Sequence, residues 1–144
     1  MTTIRVAVEL NATPQEVWED VRHLGTHVEW MHDAVAITFT SDTTEGIGTT
    51  FDCLTKVGPI QLTDKMRVTS WEEPTTIGVR HEGVVSGDGE FVISPSGDNR
   101  STFAWEETLD FPWFLGGPIG ETVGSPILKL IWKRNLKQLQ ARFA

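Results

Sequence analysis

With 144 residues and a formal net charge of −8, the chain suits one domain with a buried core and leaves little room for a second. The negative balance argues against binding a nucleic-acid backbone or an anionic membrane surface, both of which call for clustered Lys and Arg. Its single cysteine, Cys53, cannot form an internal disulfide and fits a reducing cytoplasm.

The opening Met1-Thr2-Thr3-Ile4-Arg5 lacks the apolar core of a signal peptide, and no apolar run approaches the ~20 residues of a membrane span, so a cytoplasmic location is expected. Thr3 to Leu10 alternates, with Ile4, Val6, Val8 and Leu10 on one face, and predicts a half-buried strand. Thr13 then reads as an N-cap, Pro14 as the first helical residue and Glu16 as the third, which together make a capping box. Val17, Trp18 and Val21 supply the apolar face of this short helix, which Gly25 closes. A second short helix is expected to carry Val28, Trp30 and Met31.

From Ala34 the pattern changes to strands and turns. Val35, Ile37 and Phe39 alternate, and Glu45 to Gly48 is a turn. Phe51 to Val57 is a strand, Gly58-Pro59 turns it, and Ile60 to Trp71 alternates for an unusually long stretch. Glu72-Glu73-Pro74 is the next turn, followed by a strand from Ile77 to His81. Gly83 to Gly89 is expected to be a glycine-rich turn with a bulge. Strands at Glu90 to Ile93 and Ser101 to Phe111 complete an antiparallel meander. Pro112 to Gly120 reads as a loop, and a helix runs on to about Phe143, kinked by Pro126 or starting there. Trp132, Leu136, Leu139 and Phe143 form its apolar stripe. The basic residues Lys133, Arg134, Lys137 and Arg142 fit its C-terminal dipole and solvent.

The fold class is therefore α+β, a single unit over residues 1–144. A coiled seven-stranded antiparallel sheet, with two short helices after the first strand, is covered by one long C-terminal helix. Sheet and helix leave room for a pocket between them.

Several short segments in this order resemble the superfamily that includes START domains, pollen-allergen-type proteins and polyketide cyclase/dehydrase-like proteins, often called SRPBCC. They are Val8 to Trp18, Glu29-Trp30 followed by Val35, Gly46-Ile47-Gly48-Thr49, Trp71-Glu72-Glu73-Pro74, and Gly117-Pro118-Ile119-Gly120 leading to Leu136-Lys137-Gln138-Leu139. The resemblance implies a helix-grip fold with a deep apolar cavity under the last helix. It implies no single activity, because relatives bind lipids, sterols, quinones, plant hormones or polyketides and only some catalyse. No catalytic set is shared, and the glycine-rich loop of the pollen-allergen branch is not matched by Gly46 to Gly48 or Gly83 to Gly89.

Strand parity indicates which side chains face the cavity. Leu62, Asp64 and Met66 share a face, as do Val79 and His81, Phe51 and Cys53, and Trp105 and Glu107. Ionisable groups on an apolar wall must be paired or change protonation state. A simple hairpin would set Asp64 diagonally from His81, an arrangement in which a carboxylate orients a general base for proton abstraction beside a carbonyl. The alternative is an Asp64–His81 pair that only satisfies itself or buried water. Glu107 could pair with a cation on the adjoining strand or helix. Cys53 reads as a small buried apolar residue.

The expected ligand wall comprises Trp30, Phe51, Cys53, Leu62, Met66, Trp71, Val79, Phe91, Trp105, Glu107, Trp113, Ile127 and Ile131. For the tryptophans, ordinary core packing competes with this reading. His23, His27 and His32 read as exposed histidines rather than metal ligands, and no cofactor is called for. Three functions remain open: a binder of a small hydrophobic molecule, a cyclase or dehydratase using Asp64 and His81, and an interaction module that meets a protein partner or a second copy through Trp113-Phe114.

Overall fold

A computed structural model describes residues 1–144. Strand β1 (Thr2–Leu10) leads into helix α1 (Pro14–Val21) and a 3-10 turn at Leu24–Glu29. Strands β2 (Ala34–Phe39), β3 (Thr50–Val57), β4 (Ile60–Glu72), β5 (Thr76–Glu82), β6 (Ser86–Pro95) and β7 (Ser101–Asp110) follow. A short 3-10 turn at Trp113–Leu115 leads into helix α2 (Gly117–Ala141). The strands form one antiparallel sheet in the order β1-β7-β6-β5-β4-β3-β2. Every neighbour but β1 is consecutive in sequence, so short hairpins suffice to build it.

The capping box is formed as the sequence predicts. Glu16 N–H donates to Thr13 Oγ1 and Thr13 N–H donates to Glu16 Oε1, each at 3.2 Å. These bonds satisfy two of the donors that a helix start leaves open. They fix α1 so that Val17, Trp18 and Val21 are buried.

Helix α2 lies across the sheet. Trp132, Leu136 and Leu139 are buried along it, and Trp132 stacks on Trp105 of β7 with ring centroids 4.4 Å apart. At its far end Arg142 donates to both carboxylate oxygens of Asp20 on α1, at 2.8 and 2.7 Å, and to Glu29 at 3.3 Å. This basic residue therefore clasps the helix end to α1 rather than only meeting solvent and the helix dipole.

Two boundaries differ from expectation. Helix α2 begins at Gly117, inside the expected loop, and Pro126 lies within it. Gly116, at φ 91°, makes the reversal into the helix, and a side chain on Gly120 would strike the Leu115 carbonyl. The turn expected at Gly83 to Gly89 ends early, because β6 begins at Ser86. Gly87 and Gly89 are thus strand residues. A Cβ on Gly87 would lie 1.9 Å from the Thr108 carbonyl oxygen, and one on Gly89 would lie 2.6 Å from Glu107 Cγ. In the middle of a sheet, glycine marks a close approach of this kind.

Candidate functional site

Between sheet and α2 lies a cavity of about 510 Å³, lined by 31 residues of which 23 are hydrophobic. β3 contributes Phe51, Cys53 and Thr55; β4 contributes Leu62, Asp64 and Met66; β5 contributes Ile77, Val79 and His81. Phe91 comes from β6, and Trp105, Glu107 and Leu109 come from β7. Helix α2 closes it with Gly120, Val123, Gly124, Ile127, Leu128 and Trp132, one face at helical spacing. Ile127 and Leu62 therefore line the same cavity from opposite sides.

Four residues of the expected ligand wall lie elsewhere. Trp30 is 1% exposed and packs edge-on to Phe103 and Trp105, inside the core behind the wall. Trp71 meets Trp18 edge-on at 5.2 Å, because an irregularity between Val68 and Ser70 shifts the register of β4 before it. Ile131 packs against the core outside the cavity. Trp113 is 87% exposed and touches only the Phe114 ring in aromatic contact, while Phe114 itself reaches the cavity.

The expected partner of His81 is also corrected. Met66 stands opposite His81 in the register, which leaves Asp64 diagonal to it, as the hairpin argument requires. Yet His81 Nε2 bonds Glu107 Oε1 at 2.5 Å, two strands away. Gly89 lies between them, paired with Val79 on one side and Glu107 on the other. Its missing side chain is the space through which imidazole and carboxylate meet. Both side chains are buried, at 7% and 8% exposure.

Burial works against a charged His81, but the charge and hydrogen bond of Glu107, with the charges of Asp64 and Asp88, outweigh it and raise its pKa. His81 Nδ1 is buried without a hydrogen-bond partner. Asp64 accepts from Thr55 Oγ1 at 2.9 Å. Burial lifts its pKa, opposed by the His81 charge and the Thr55 bond. Cys53, opposite Asp64 in the register, is buried, and desolvation with nearby carboxylates pushes its thiol up to about 11. A nucleophilic Cys53 has no support in such surroundings.

Two groups at the helix side carry signals that the sequence reading did not use. Asn135, fully buried, donates from Nδ2 to Asp33 Oδ1 at 2.7 Å and accepts from the His32 backbone N–H at 2.9 Å. It thereby ties α2 to the segment before β2 and holds Asp33 on the cavity wall. Burial raises the Asp33 pKa, opposed by the bond from Asn135. Asn135 sits among Trp132, Leu136 and Leu139, and a polar residue on an apolar stripe was the available clue. His27, expected to be exposed, is buried with its Nε2 bonded to the Val21 carbonyl at 2.7 Å. Desolvation lowers its pKa to about 4, so it stays neutral in the wall.

A seven-stranded antiparallel sheet gripping a long C-terminal helix over an apolar cavity defines the helix-grip class of the START-like superfamily. Within it, the chain belongs to the family described as polyketide cyclase / dehydrase and lipid transport, which matches residues 1–144.

Among solved structures, a START superfamily protein from Mycobacterium smegmatis is similar, with a TM-score of 0.81 at 11% identity over 98% of this chain and 96% of that one. A conserved protein from Geobacillus kaustophilus has a TM-score of 0.77 at 15% identity, over 99% and 95%. A protein from Thermobifida fusca has a TM-score of 0.73 at 17% identity, over 99% and 93%. At these identities the likeness establishes the fold alone. None of the curated proteins compared matches the chain. No helix is long and apolar enough to cross a membrane.

Proposed function

We propose that this chain binds a small hydrophobic molecule in the cavity between sheet and α2. The observation that carries this reading is the cavity itself: about 510 Å³, with 23 of 31 lining residues hydrophobic. That size falls within the range of small-molecule sites, in which a few polar groups orient an otherwise apolar ligand. Here Asp33, Asp64, His81 and Glu107 are the ionisable groups in that position, with neutral His27 nearby.

The test is titration with Nile red, a neutral apolar dye whose emission reports burial. Saturable binding at one site per chain is expected. Leu62→Trp, which adds bulk on the β4 wall, should weaken binding at least tenfold while leaving the melting temperature within a few degrees. Absence of saturable binding, or an unchanged affinity in a folded Leu62→Trp, would refute the reading.

A second reading, dehydration of a β-hydroxy ketone, is favoured by one observation, the buried 2.5 Å pairing of His81 with Glu107 beside Asp64. With His81 protonated, the roles differ from those the sequence suggests. Asp64 would take the proton beside the carbonyl, and His81 would protonate the departing hydroxyl, which leaves as water. Loss of turnover with retained ligand binding in His81→Gln would distinguish this reading from simple binding.

A further inference from the structure

The polar groups of the cavity are unevenly satisfied, and the mismatch has a chemical meaning. Asp64 accepts from Thr55 Oγ1 through Oδ2, and as a half-buried side chain it keeps Oδ1 free for a partner from outside the chain. His81, 5% exposed on the cavity wall, spends Nε2 on Glu107 and leaves Nδ1 unpaired. When His81 is protonated, Nδ1–H is a donor without an acceptor, while Asp64 Oδ1 is an acceptor without a donor. The two residues lie on neighbouring strands on one face and in diagonal register. Such positions have Cα atoms about 7–8 Å apart, and the side chains close part of that gap.

We propose that the occupant of the cavity is a neutral alcohol or phenol whose hydroxyl lies between His81 and Asp64, accepting from the first and donating to the second. This rests on the binding reading above and adds the chemical class of the ligand.

The alternatives fit less well. A carboxylate or phosphate end could accept from His81, but would then face Asp33, Asp64 and Glu107, three carboxylates lining the same mostly apolar cavity. A primary ammonium could donate to Asp64. It would face the His81 cation and would carry its own desolvation penalty into an apolar cavity. A hydroxyl brings no net charge, is both donor and acceptor, and can meet both unpaired positions with one atom. Thr55 Oγ1 already makes the corresponding bond to the other Asp64 oxygen.

The experiment is isothermal titration at pH 7 with three ligands of equal chain length, 1-decanol, decanoate and decylammonium, on the full chain. The expected result is that decanol binds at least tenfold more tightly than either ion. Asp64→Ala should weaken decanol about tenfold or more, the worth of one hydrogen bond to a charged group. Asp64→Asn keeps an acceptor and should stay within about threefold of wild type. Circular dichroism and melting curves check that both variants fold, and the wild-type ranking of the three ligands stands even if a variant does not.

Equal or tighter binding of decanoate would overturn the proposal. Tighter binding of decylammonium would also overturn it, and would make the acidic wall a cation site. Unchanged decanol affinity in a folded Asp64→Ala would show that the hydroxyl lies elsewhere. Binding of all three without preference defeats this proposal alone, whereas failure of all three and of Nile red defeats the underlying reading as well.

Discussion

Replacing Glu107 tests whether the buried His81–Glu107 pair shapes the stability of the domain. The two side chains meet at 2.5 Å and are only 7% and 8% exposed. Removing one member of such a pair strands the other, at about 3–5 kcal/mol. Glu107→Ala should therefore lower Tm by roughly 10 °C, at about 2–4 °C per kcal/mol for chains near this size. Glu107→Gln keeps a hydrogen-bonding oxygen, so its loss is smaller, about 1–3 kcal/mol.

The pH dependence is the sharper signal. In the wild type the His81 pKa is raised above its ordinary value of 6.5. Its contribution to stability is fully present below 6.5 and is lost as pH rises through the raised folded value. In Glu107→Gln the burial that opposes the cation prevails, the folded pKa falls below 6.5, and the sign reverses. Stability is then lost on acidification. Urea unfolding of both proteins from pH 5 to pH 9 measures the difference. Parallel profiles, offset by a constant, would refute the account, because they would mean that His81 does not titrate against Glu107.

Cys53, with its thiol pushed up to about 11, should be about one part in a thousand thiolate at pH 8. Iodoacetamide labelling followed by mass spectrometry should run at least a hundredfold slower in the native chain than in urea, and equal rates would contradict the burial argument. Asn135→Leu removes the partner of Asp33 and of the His32 N–H and should destabilise the protein by about 2–4 kcal/mol in urea unfolding. A loss below about 1 kcal/mol would mean that water takes over both bonds.

Periodicity made the sheet readable before any coordinate. β4 alternates with little interruption, so its inward residues Leu62, Asp64 and Met66 could be named from parity alone. The capping box worked for the same reason: the information is local, within three residues of Thr13. The His81–Glu107 contact was not legible, because it crosses an intervening strand. Parity tells which face a side chain takes, not how far it reaches over a glycine, and a glycine-rich stretch reads as a turn whether or not it sits in a sheet. Strict parity along β4 would set Trp71 on the outer face; the irregularity between Val68 and Ser70 brings it opposite Ile77 on the inner face, where it meets Trp18 beyond the cavity. Asp33 and Asn135 needed the packing of α2 on the segment before β2, which has no sequence-local trace beyond one amide in an apolar stripe.

The stacked pair of Trp105 and Trp132 has an optical consequence. The chain has six tryptophans and no tyrosine, and these two face each other at 4.4 Å with their planes 14° apart. One belongs to the sheet and the other to the helix, and both line the cavity. Indoles held this close share their excited states, so the near-ultraviolet circular dichroism of the protein carries a signal from the one place where grip and helix touch through aromatic rings. A guest that wedges the helix away from the sheet must separate the rings and quench that signal, whereas one that settles into existing space leaves it standing. The molecule thus carries its own unlabelled gauge of whether its cavity is filled or forced.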